Sequence, residues 1–197
     1  RSSDLVFEED ASGAVTIPTY PFGEGAVLEV ETDHGRELTA QEIYQRVNPS
    51  VVTVMVQLDD SVSVGTGVIF RADGYILTNY HVLAGGRDCT VAMDTGRTYE
   101  ARYVAGDERN DLAVLKVELT GLPAATFGDS DQLVVGDKVY AIGNPLGVEL
   151  RGTLTDGIVS AINRDVQVDG RTMTLVQTNA ALNSGNSGGP LINACGQ

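Results

Sequence analysis

From Val51 onward the apolar residues of this chain come in short β-branched runs, each broken by Gly or Asp before it reaches the length of an ordinary helix. That punctuation most constrains the fold. The runs are Val51-Val56, Gly67-Phe70, Tyr75-Asn79, Thr90-Met93, Leu112-Val117, Lys138-Ile142, Gly152-Ile162, Thr174-Gln177 and Pro190-Ile192. Strands of this length and spacing predict an all-β antiparallel barrel or sandwich. Asp73-Gly74 reads as a hairpin turn and Asp94-Thr95-Gly96 as another. Strands do not alternate with long amphipathic segments, which excludes a parallel α/β sheet. Turn residues at Thr120-Gly121-Leu122-Pro123 mark a seam, dividing residues 38–122 from residues 123–197.

Ahead of the strands, residues 1–37 hold nine acids against two bases, half of the net charge of −14, together with Pro18, Pro21 and four glycines. No apolar period is sustained there, so the segment reads as an acidic flexible linker. A sharp signal follows. Thr39 and Glu42 have the spacing of a capping box, and Leu38 and Ile43 that of a hydrophobic staple. A short helix is predicted to start at that point and to end near Asn48-Pro49, because the residue before a proline is pushed out of the helical region.

Apolar residues make up 42% of the 197, enough to build a core. The longest apolar run falls far short of the ~20 residues a membrane-spanning helix needs. The negative charge, with no basic stretch interleaved with aromatics, argues against nucleic acid as a partner. Cys89 and Cys195 have the spacing neither of a metal site nor of a disulfide framework and read as structural thiols. No metal or cofactor is expected.

The most specific stretch is Gly185-Asn186-Ser187-Gly188-Gly189-Pro190. Glycines on both sides of a serine let the backbone wrap tightly around one hydroxyl and turn neighbouring N–H groups toward an anion, as acyl transfer requires. A serine is a weak nucleophile without a base. Of the two histidines, His34 lies in the acidic segment and reads as solvated surface, whereas His81 closes the run beginning at Tyr75, at the end of a strand. An imidazole in turn needs a carboxylate to fix its tautomer, and Asp111 opens the apolar run Leu112-Val117, which would anchor it at a strand edge. The chain order His81, Asp111, Ser187 is that of the chymotrypsin type.

On these residues the chain resembles the trypsin superfamily, and within it the HtrA (DegP-like) branch. The match lies in Thr78-Asn79-Tyr80-His81-Val82, Asn110-Asp111-Leu112-Ala113-Val114-Leu115 and Gly185-Asn186-Ser187-Gly188-Gly189-Pro190. Gly65-Thr66-Gly67-Val68-Ile69, Ala141-Ile142-Gly143-Asn144-Pro145-Leu146-Gly147 and Gly157-Ile158-Val159-Ser160 support it. The resemblance implies two antiparallel six-stranded Greek-key barrels with His81 and Asp111 on the first and Ser187 on the second. It implies a catalytic triad of His81, Asp111 and Ser187, an oxyanion hole of the Gly185 and Ser187 N–H groups with Asn186 between them, and a specificity pocket around Ala181, Leu182 and Asn183. It further implies a serine endopeptidase acting on misfolded or unfolded proteins in the cell envelope, a homotrimer, and PDZ domains downstream. A non-catalytic role in holding unfolded clients is the alternative.

Two departures stand out. Where the family commonly reads Thr-Asp-Ala-Ala-Ile-Asn-Pro-Gly-Asn-Ser, this chain has Asn179 in place of the acid and Ser184 in place of the proline that would stiffen the loop. The family also continues past the serine motif with strands that complete the second barrel, so that barrel is expected to be incomplete within these 197 residues. The string Gly185-x-Ser187-x-Gly189 fits the nucleophile elbow of α/β-hydrolases as well, but that fold needs its histidine after the serine.

Overall fold

The computed structural model describes residues 15–21, 27–144, 152–168 and 170–197. Its first half is a closed six-stranded barrel. The strands are β2 (Val51–Gln57), β3 (Val62–Arg71), β4 (Tyr75–Thr78), β5 (Asp88–Ala92), β6 (Thr98–Asp107) and β7 (Leu112–Lys116), in the order β2-β3-β4-β7-β6-β5, and β2 pairs with β5 to close the ring. All neighbours are antiparallel. In β2, Val52, Val54 and Val56 point into this barrel with Ile69, Ile76, Val91 and Leu115, while Val51 joins a second cluster with Ile43, Val47, Tyr140, Ile142 and Ile192. Burial on both faces is why β2 reads as an unbroken apolar run and not as an alternation. Gly67 lies where a Cβ would come within 2.7 Å of Ile76, so the filled interior admits no side chain there.

The second half is an open antiparallel sheet in the order β11-β10-β9-β12, from β9 (Lys138–Gly143), β10 (Thr153–Val168), β11 (Arg171–Thr178) and β12 (Leu191–Asn193). Among the described residues this half is a half-barrel of four strands. The helix α1 (Ala40–Val47) has both halves of the predicted capping box: Glu42 N–H donates to Thr39 Oγ1, and Thr39 N–H donates to Glu42 Oε2. Leu38 packs against the cluster that contains Ile43. A 3-10 turn over Asn48–Ser50 follows directly and leads into β2. No described helix is long and apolar enough to cross a membrane.

The structure departs from the sequence reading in three places. The strand β6 is absent from the predicted runs. It buries Ala101, Tyr103 and Ala105 and exposes Glu100 and Arg102, an alternation built on alanine and not on β-branched residues. His81 does not end a strand: β4 stops at Thr78, and His81 sits in the one-turn helix α2 (Tyr80–Leu83). The flexible-linker reading of residues 1–37 fails for part of that segment. Ile17 is 2% exposed inside the first barrel's core. Thr16 donates to the Gly86 carbonyl, and Tyr20 and Pro18 bracket Tyr103 with hydrogen bonds of 2.8 and 3.0 Å. A single buried isoleucine makes no period, so pattern reading passes over it. Further on, β1 (Val30–Glu31) runs parallel to β8 (Phe127–Gly128).

Two expectations follow. Arg36 beside Glu42, aided by the Thr39 amide, holds the Glu42 carboxyl down at about 2. A depressed carboxylate contributes stability that is complete above its ordinary range and is lost as pH falls toward that lower value. Thr39→Ala should therefore cost about 1 kcal/mol at neutral pH, and Glu42→Gln, which keeps a capping acceptor, should flatten the acid limb of the denaturation curve between pH 4 and 2. Urea unfolding as a function of pH checks both. Cys89 is buried in β5, and burial pushes its thiol up to about 12, while Cys195 is partly exposed, both being free. Iodoacetamide at pH 8 should modify Cys195 alone in the native chain and both thiols in urea, read by mass spectrometry of the peptides.

Candidate active site

The antiparallel pairing of β4 with β7, in the register Thr78↔Ala113, brings the residues after β4 and before β7 to one end of the first barrel. There Asp111 holds His81 at two points. Its Oδ1 accepts from the His81 backbone N–H at 2.8 Å, and its Oδ2 lies 2.7 Å from His81 Nδ1. A carboxylate on Nδ1 fixes the tautomer that carries its proton there and leaves Nε2 as the acceptor. The side chains of His81 and Asp111 are 58% and 36% exposed, so the carboxylate is not buried as its place before an apolar run suggests. Asp111 has φ 55, the left-handed region that Asp enters more readily than most residues. The Asn79 side chain donates to its carbonyl at 2.7 Å and secures that turn.

Ser187 follows a 3-10 turn over Ser184–Asn186. The loop is pressed against β3 on one side and β9 on the other. Gly188 has φ 85, and a Cβ there would fall 2.1 Å from the Thr66 carbonyl; one on Gly189 would fall 2.6 Å from that of Ile142. Gly188 is thus required by both conformation and space, and Gly189 by space. Ser187 approaches the His81 helix through Gly65, whose Cβ would meet both Val82, the neighbour of His81, and the Ser187 carbonyl. The serine loop and the helix that carries His81 thus lie on either side of Gly65. Among the described residues no hydrogen bond joins Ser187 Oγ to the His81 ring, and such bonds commonly tighten only with substrate in place.

Of the two N–H groups expected to cradle an oxyanion, that of Ser187 donates to the Ser184 carbonyl at 3.3 Å, and the intervening Asn186 N–H donates to Asn183 at 3.0 Å. The Asn186 Oδ1 is buried without a hydrogen-bond partner. At the expected pocket, Ala181 is exposed, with its carbonyl accepting from Thr155 Oγ1 at 2.9 Å; Leu182 is 57% exposed and Asn183 is exposed. The Asn179 carboxamide, which replaces the family's acid, accepts from the Ile158 N–H at 2.8 Å and so faces β10. Asn183, ahead of the serine at 184, is extended, with φ −141 and ψ 176.

Sequence reasoning missed the polar residues that hold this site together. Thr66, Thr78 and Asn144 are buried, and Thr78 and Asn144 both donate to Thr66. All three stand inside the motifs named above, but nothing in the residue types announces their partners. The Pro145-Leu146-Gly147 part of that motif lies outside the described residues.

Comparison with known proteins accords with this geometry. Residues 65–197 match the model of the trypsin-like peptidase domain family. The serine protease Do-like HtrB of Bacillus subtilis is 50% identical over 140 residues, which cover 67% of this chain and 31% of that protein. A probable periplasmic serine endoprotease, DegP-like, of Halomonas elongata is 46% identical over 135 residues, 68% of this chain and 28% of that one. Among solved structures, the HtrA-type protease AlgW with tripeptide superposes with a TM-score of 0.75 at 42% identity, covering 81% of this chain and 52% of that one. The chain thus spans about a third of the length of the curated relatives it matches. By fold, motif and relatedness together, it belongs to the trypsin-like peptidase domain family, on the HtrA-type branch.

Proposed function

We propose that this chain is the peptidase domain of an HtrA-type serine endopeptidase that cleaves unfolded or misfolded proteins outside the cytoplasm. The observation that carries the reading is the two-point grip of Asp111 on His81, joined to a serine followed by two glycines whose places admit no side chain. In this mechanism Ser187 Oγ attacks the scissile carbonyl carbon while His81 Nε2 takes its proton, and Asp111 stabilises the imidazolium. The carbonyl oxygen becomes an oxyanion held by the N–H groups of Gly185 and Ser187, the latter exchanging its bond to Ser184 for one to substrate. His81 then gives its proton to the departing amine, and water hydrolyses the acyl-enzyme by the same steps in reverse order.

Relatives named periplasmic support the compartment, and the exposure of His81 and Leu182 leaves the cleft open to an extended polypeptide. We further propose a homotrimer with PDZ domains in the whole protein, on family likeness. At the pocket, Ala181 offers no charge to pair with Lys or Arg.

In the full-length protein, a fluorophosphonate should label Ser187 alone, and Ser187→Ala should abolish both labelling and casein hydrolysis. Asp111→Asn should lower kcat about 10³- to 10⁴-fold by releasing the tautomer. Hydrolysis retained in Ser187→Ala would favour a client-binding role with an unrelated contaminating activity. Peptide-library profiling should return Val, Ala or Ile at P1; a dominance of Lys or Arg would sink the pocket assignment.

A further inference from the structure

Thr53 and Thr66 face each other across β2 and β3, both fully buried, and make opposite use of the same side chain. The Thr53 hydroxyl has no hydrogen-bond partner. Thr66 is bonded through every polar atom it has. Its Oγ1 donates to the Gly185 carbonyl at 2.7 Å, its N–H donates to the Ser187 carbonyl at 2.8 Å, and its carbonyl accepts from Thr78 Oγ1 at 2.7 Å. The backbone N–H of Asn144 points at the Thr66 hydroxyl from 3.2 Å. An N–H can only donate, so the single proton of the hydroxyl is left to go to Gly185.

We propose that Thr66 is the positioning residue of the oxyanion loop. It clamps the carbonyls on both sides of Asn186 to a barrel strand, and thereby fixes the backbone that carries Ser187 Oγ and the two oxyanion donors. Thr66 touches no substrate; it acts through Gly185 and Ser187. The proposal rests on Ser187 being the nucleophile. Without the hydroxyl, the Gly185 carbonyl is buried with an unmet acceptor, and the loop turns to find a donor. A displacement of this kind damages the chemical step more than the binding of an extended peptide.

The test compares Thr66→Val, Thr66→Ser and Thr66→Ala in the full chain, with Thr53→Val as the matched control one strand away. Thr66→Val should lower kcat, and the rate of fluorophosphonate labelling with it, about 10- to 100-fold with KM changed by less than about twofold. Thr53→Val should leave kcat within about twofold of the wild type, since it removes an unpartnered hydroxyl. Thr66→Ser and Thr66→Ala differ only in the hydroxyl. Serine should hold kcat within about threefold of the wild type and alanine should match valine, a comparison that survives poor folding of the valine variant. A kcat for Thr66→Val within twofold of the wild type, or a serine variant as impaired as the alanine one, would overturn the proposal. Turnover that survives in Ser187→Ala would overturn the nucleophile assignment instead, and this role with it.

Discussion

The register in which β4 pairs with β7 is the constraint on which the site depends. Strand pairing has a period of two, so a slip of one residue would turn Leu77 and Val114 to the opposite face and carry His81 and Asp111 out of step. The slip is prevented by what the barrel encloses. Ile76 and Leu115 face each other in the packed interior, and Gly67 leaves no room for a shift. Apolar burial therefore sets a distance between two polar groups that touch neither isoleucine nor leucine. The hydrogen bonds from His81 to Asp111 finish an alignment already imposed by the core.

The serine loop is held by different means. Behind it lies a set of hydrogen bonds: Thr66 to the loop carbonyls, Thr78 to Thr66, Asn144 to Thr66 and to Val52, and Gly152 to Asn144. Such a network, once every member is satisfied, selects one arrangement more sharply than apolar packing, which tolerates sliding. The single orphan among the site's side chains is the Asn186 oxygen, at the centre of the loop.

How much of this was legible in the sequence follows from the kind of signal each feature carries. The strand β2, the helix cap at Thr39 and the order of His81, Asp111 and Ser187 are local or ordinal, and a single chain displays them. Ile17 was not legible because its burial depends on Gly86 and Tyr103, residues far along the chain. The strand β6 hid because alanine fills its inward positions, and alanine announces no strand. Thr66 and Thr53 are the sharpest case. Nothing in their flanking residues says that one hydroxyl organises the loop and the other has no partner, because that difference lies in what the second half brings to the strand.

The strap of residues 15–20 has a mechanical consequence. It lies along β6 with bonds to Tyr103 on both sides of Thr19 and with Ile17 seated in the barrel like a peg. Force applied to the chain from its N-terminal side reaches Ile17 and Tyr103 before it reaches α1 or β2. From Tyr103 the load spreads into a closed ring of six strands, where shear is shared among many hydrogen bonds. Tension on the leading segment is thus taken up by the closed barrel before it reaches the strands of the second half.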